Sequence, residues 1–203
     1  MKIKTLILLI MIVTFASCGG STGTTSNTGT GGGTTNDTEA NAEASRLSTV
    51  ETDLLALING ERNDDGLPSL LRDVGLDLIM LWHVTQMANN MTLSHTDENG
   101  RGAEERVRYY SGDDTVRCSE IIQWWGGTAS GQVHYDGYFN STEHHNAYME
   151  NGIYNLGGAE DVGIAAVSGE GPAGSQFEGN SGSYSGLVIC NQGVTLDINP
   201  FDE

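Results

Sequence analysis

Three side chains in this chain have the types expected of a reactive site: His95, Glu120 and His144. Two imidazoles and one carboxylate are the donor set of a zinc-type centre with an open position. Without a metal they could hold a water or an oxyanion, with histidine titrating near neutral pH. Spacing alone does not draw them together. The chain has no His-Glu-x-x-His motif and no Cys-x-x-Cys pair, and its close-set pair, His144-His145, consists of neighbours that usually point apart. A histidine at a helix exit also has a plainer role, capping the last carbonyls.

Other chemistries are poorly represented. The serines include no Gly-x-Ser-x-Gly elbow, and no glycine-rich phosphate loop follows a strand. The carboxylates are too numerous to single out a glycosidase pair. Trp124-Trp125 offers a sugar-stacking surface, but adjacent residues of a strand face opposite ways, so at most one is exposed and core packing is the alternative. The net charge of −18 is spread along the chain. It argues against nucleic acid and against docking on an anionic lipid surface.

These side chains need elements to position them. Ser48-x-x-Glu51 fits a capping box, followed by Val50, Leu54, Leu57, Ile58 and Glu61 near one helical face. Asn63 to Gly66 stops that helix and Pro68 prevents a quick restart. A second helix is predicted from about Asp73 to Met91, apolar around most of its circumference and so largely buried; it delivers His95 at its exit. A short helix follows over Ala103–Tyr110, with Glu104, Glu105, Arg106 and Arg108 on wet faces. Val116–Trp125 reads as a strand carrying Glu120, and Gln132–Asn140 as an ambiguous helix with Val133, Tyr138 and Phe139 inward. Val162–Val167 and Tyr184–Cys190 read as two more strands, joined by a long, mobile polar link. Helices first and strands later, with one more helix between, make the class α+β in layers.

The ends carry an address. Residues 1–18 have Lys2 and Lys4, an apolar run from Leu6 to Phe15, and then small residues, which is a secretory signal too short for a spanning helix. Phe15-Ala16-Ser17-Cys18 resembles a bacterial lipobox, with Cys18 the lipid-bearing N-terminus; a plain signal peptide is the alternative. Residues 19–44 are polar and Gly/Thr/Ser-rich and read as a disordered tether, leaving 45–203 as the domain. The expected location is the bacterial cell envelope, lipid-anchored and facing the periplasm or exterior. Once Cys18 is lipidated, Cys118 and Cys190 remain in an oxidising compartment, where a disulfide is the natural outcome and two buried free thiols the alternative.

The domain resembles the CAP superfamily, the SCP-like extracellular domain, in its short bacterial branch. Leu55–Leu70 carries Asn59, Arg62, Gly66, Leu67 and Leu70 in register with the family's opening pattern. His83, Met87 and Ala88, then Ser94-His95-Thr96, match its second helix and exit. Asn99-Gly100 and Glu105-Arg106 match the next loop loosely. Ser119-Glu120-Ile121-Ile122 stands where the family has Gly-Glu-Asn-Ile. Tyr138 to His144 stands where it has Trp-Met-Asn-Ser-Pro-Gly-His, and Val162 to Ala165 matches a late strand. The resemblance spans about residues 50–192. It implies a three-layer α-β-α sandwich with an antiparallel sheet and a cavity lined by His95, Glu120 and His144. Ser141 stands where many relatives have a second glutamate, and Ile121 removes a side-chain hydrogen bond beside Glu120. The implied role is a non-enzymatic envelope module binding a small lipid-like ligand or a partner protein. The alternative is a divalent-metal-dependent hydrolase, with zinc held weakly by His95, His144 and Glu120, since the set lacks a fourth strong ligand.

Overall fold

A computed structural model of the protein describes residues 37–150, 155–158 and 161–202. The signal sequence, Cys18 and the tether up to residue 36 lie outside the described residues. The elements are α1 (Asp37–Ser45), α2 (Ser48–Asp64), β1 (Leu71–Arg72), α3 (Val74–Asn89), α4 (Ala103–Ser111), β2 (Cys118–Gly126), α5 (Gly131–Phe139), α6 (Thr142–Tyr148), β3 (Asp161–Glu170), β4 (Ser181–Cys190) and a closing 3-10 turn (Pro200–Asp202). The sheet order is β1-β3-β4-β2. The three long strands pair antiparallel, as expected, and the two-residue β1 pairs parallel with β3.

Strand alternation divides the core in two. Val162, Ile164, Leu187, Ile189 and Ile121 point to the layer of α2, α5 and α6. Ala165, Val167, Tyr184, Val188 and Ile122 point to the layer of α3 and α4. Helix α3 lies very close on the sheet, and two glycines make that approach possible. A Cβ on Gly163 would meet the Leu76 carbonyl at 2.2 Å, and one on Gly186 would meet the Met80 methyl at 2.3 Å. Asp73 starts α3 by accepting from the Leu76 N–H at 2.9 Å. Cys118 and Cys190, directly opposite in the β2–β4 register, form the expected disulfide.

Several expectations are corrected. Helix α1 occupies 37–45, so the last residues of the expected tether are folded; Ala42 is fully buried in the α3-side core. Glu51 is not part of a capping box: Leu47 is the N-cap residue and gives no side-chain bond. The Glu51 carboxylate instead binds Arg46 through two bonds of 2.9 and 3.0 Å, Arg72, and the Ala166 N–H. It thus ties α2 to β3. In α5 the buried pair is His134 and Tyr138, one helical turn apart, while Phe139 is exposed. The link after β3 is shorter than expected, and its turn is held by Gly171 N–H to Asn180 O (2.9 Å) and Gly174 N–H to Glu178 (2.7 Å).

Candidate functional site

Glu120 sits on β2, the edge strand, facing α4, while Ile121 beside it turns into the opposite core. The Ile121 side chain therefore does not lie against the Glu120 carboxylate, which corrects the expected loss there. Each oxygen of that carboxylate has a partner. Oε1 lies 3.0 Å from His95 Nδ1. Oε2 accepts from Arg106 Nη2, in an ion pair whose two side chains are all but completely withdrawn from water. The expected wet helix face for Arg106 is corrected. In α4 it shares the inward face with Val107 and Tyr110, and it is fully buried. Its Nε and Nη1 have no hydrogen-bond partner among the described residues.

His83 completes this inner group. It projects from the middle of α3, Nε2 lying 2.9 Å from the Ser94 carbonyl and 3.9 Å from Glu120 Oε1. A carbonyl oxygen only accepts, so Nε2 carries the proton. Burial, reinforced by the Arg106 charge, lowers the His83 pKa to about 4 and keeps the ring neutral. His95 behaves oppositely: its bond to Glu120 raises its pKa against the effect of burial. The His95 side chain is 59% exposed, so it is the part of this cluster presented to solvent.

His144 comes from α6, in the other layer. Its ring packs edge-on against Tyr138 at 5.3 Å between centroids, and Nδ1 is buried without a partner among the described residues. Burial, and then the charge of His95, lowers its pKa. Ser141 is the N-cap of α6, its hydroxyl accepting from the His144 N–H at 3.5 Å. Its oxygen is thus committed to positioning the helix that carries His144. The neighbouring His145 points the other way, with Nε2 2.8 Å from Glu61 Oε1 on α2. Glu61 also accepts from Tyr148 Oη at 2.6 Å and Tyr135 Oη at 2.9 Å. Burial pushes the Glu61 carboxyl up, but the bonds from Tyr148, His145 and Tyr135 outweigh it and leave its pKa below the ordinary value. Glu143 is exposed.

The donor set does not fit a zinc centre. Among the described residues, no three His, Cys, Asp or Glu side chains come together closely enough to hold a metal ion. The physical reason is visible at Glu120: a divalent cation would compete with a buried guanidinium for the same carboxylate. What the geometry provides is an exposed, proton-accepting imidazole fixed by a buried ion pair, with the neutral His83 ring beside the same Glu120 oxygen.

With 18% identity and a TM-score of 0.53, the chain superposes on an outer surface protein from Borrelia burgdorferi, over 71% of this chain and 96% of that one. A second solved structure, an extracellular protein containing a SCP domain from Bacillus anthracis str. Ames, is 17% identical over 69% of this chain and 40% of that chain, with a TM-score of 0.48. The fold is shared with that outer surface protein. No protein-family model matches the chain. No curated protein matches it either. At 18% identity the likeness to the outer surface protein shows a common fold and nothing of activity. Of the three expected residues, His95 and Glu120 are in hydrogen-bond contact, while His144 is carried on α6 against Tyr138. Sequence reasoning missed Arg106 and His83 as members of the cluster. Arg106 sits one helical turn before Tyr110, and His83 lies within a run otherwise apolar; both positions mark a buried polar group.

Proposed function

We propose that the protein is a cell-envelope SCP-like module that binds a small lipid-like ligand or an envelope partner beside His95 and His144, without catalysing a reaction. The observation that carries this reading is the double occupation of Glu120 by His95 and Arg106. A carboxylate held by a buried guanidinium is poorly suited to act as a general base, and it offers no free oxygen to a metal-bound water. The outward-facing His95 is left as a hydrogen-bonding group for a ligand. The envelope setting draws support from the signal and lipobox pattern of residues 1–18 and from the outer surface protein that shares the fold. No described helix is long and apolar enough to cross a membrane; the lipobox pattern ending at Cys18 is what supports a lipid anchor.

The test is mass spectrometry of material co-purifying with the full-length protein, together with elemental analysis before and after chelator. A bound small molecule or protein that is lost in His95→Ala and His144→Ala supports the reading. One equivalent of chelator-removable zinc, absent from both variants, would overturn it in favour of a hydrolase.

A further inference from the structure

The C-terminal half of α3 carries a chain of three adjoining concavities of about 500, 210 and 260 Å³. The first and second share Thr85 and Asn89. The second and third share Gln86, Asn90 and Glu98. They form one furrow, running from the α1 side of α3 to the loop that carries Ser94 and Thr96.

The lining is unusual for this chain. The protein carries 27 acidic against 9 basic residues, yet the furrow is lined mainly by amides and hydroxyls. Its ionisable carboxylates are Asp97 and Glu98. Asp97 is engaged by Arg101 Nε at 2.7 Å and by two backbone N–H groups. Glu98 accepts from Gln86 Nε2 at 2.7 Å. Among the described residues no lysine or arginine lines the furrow, so an anionic ligand would find no counter-charge.

The furrow also holds polar atoms that the surrounding residues leave unsatisfied. Thr85 Oγ1, His83 Nδ1 and Gln86 Oε1 are buried and lack hydrogen-bond partners among the described residues. Thr85 is 8% exposed and His83 1%. Because His83 Nε2 donates to the Ser94 carbonyl, Nδ1 is a bare acceptor. Buried polar groups are almost always paired, so three clustered exceptions along one lining ask for a partner from outside.

We propose that this furrow is a binding site for a neutral oligosaccharide. Amides and hydroxyls both donate and accept, which matches the paired donor and acceptor character of sugar hydroxyls. Three adjoining compartments suit successive sugar units rather than one compact ligand. The furrow shares His83 with the Glu120 cluster, but its proposed ligand does not depend on the function proposed for His95.

The test is calorimetric titration of the full-length protein in a non-glycosidic detergent, using maltotetraose, cellotetraose, chitotetraose and glucose as probes. At least one tetrasaccharide is expected to bind, with glucose weaker by about tenfold or more. Asn89→Ala/Asn90→Ala, both at exposed positions, should weaken the tetrasaccharide by about tenfold, while His95→Ala should leave it unchanged. Absence of binding by all three tetrasaccharides at about 10 mM overturns the proposal. So does an affinity indifferent to the double variant, or an anionic tetra-uronide that binds more tightly than every neutral probe.

Discussion

Replacing Arg106 by methionine should be among the most damaging single changes available in this protein. Methionine keeps much of the side-chain length and removes the charge. The Glu120 side chain, 1% exposed, then loses its buried partner and retains His95, whose own side chain is largely in water and whose attraction is screened accordingly. Breaking a buried ion pair from one side typically costs about 3–5 kcal/mol, because the remaining charge stays desolvated. For a domain of this size that corresponds to a fall in Tm on the order of 10 °C. The pair itself is imperfect, since Arg106 Nε and Nη1 are unpartnered among the described residues. Arg106→Met/Glu120→Gln, which removes both charges, should therefore recover most of the loss. Urea unfolding of the wild type, both single variants and the double variant at pH 7 gives the coupling energy directly. A single-variant cost below about 1 kcal/mol, or strict additivity, would refute the claim that a buried ion pair anchors the site.

Stability should fall as the pH drops from about 6.5 towards 4. His83 and His134 are both held neutral, mainly by burial, with pKa values near 4, whereas the unfolded chain protonates them near 6.5. Their contribution is complete above the unfolded pKa and is lost through that window, at up to about 3 kcal/mol for each; His134→Asn should flatten part of the slope in pH-dependent urea melts. Below about pH 4.5, protonation of Glu61 should cost further stability, because its folded pKa is lowered, and Glu61→Gln should remove that component. Reducing Cys118–Cys190 opens a closure with a sequence separation of 72 and should cost about 4 kcal/mol by the chain-entropy argument; unchanged denaturation midpoints with and without reductant would count against it. Cys18→Ser should abolish detergent-phase partitioning, and equal partitioning of variant and wild type would remove the lipid anchor.

The layered fold was legible because α3 is apolar around its circumference and because β3 and β4 are β-branched runs separated by turn residues. Helix α5 was read correctly at Tyr138 and wrongly on either side of it, for a physical reason. Apolarity selects Val133, Tyr138 and Phe139, but the buried face joins Tyr138 to His134, and the polar atoms of both are matched from the sheet. His134 Nε2 lies 2.8 Å from Ser183 Oγ, its Nδ1 is 2.9 Å from Gln123 Nε2, and Tyr138 Oη is 2.9 Å from Ser185 Oγ. The two serines are about fifty residues away and invisible to a local pattern. Arg106 was hidden in the same way, because Glu104, Glu105, Arg106 and Arg108 together look like a solvated surface. Only the distant Glu120 makes burial of one of them tolerable. Helix α1 was unreadable from its polar composition; it forms where Ala42 is small enough to pack into the α3-side core, with Arg46 just beyond it bound to Glu51.

The back-to-back histidines of α6 give that seven-residue helix two handles on opposite sides. His144 meets the site, while His145 and Tyr148 are clasped by Glu61 on the outer helix α2. A residue such as Glu61 can therefore rotate or shift the inner imidazole without touching it. The outer surface works as an adjusting screw: changes in α2 or α5 can reposition the His144 ring while His95, Glu120 and His144 all stay the same.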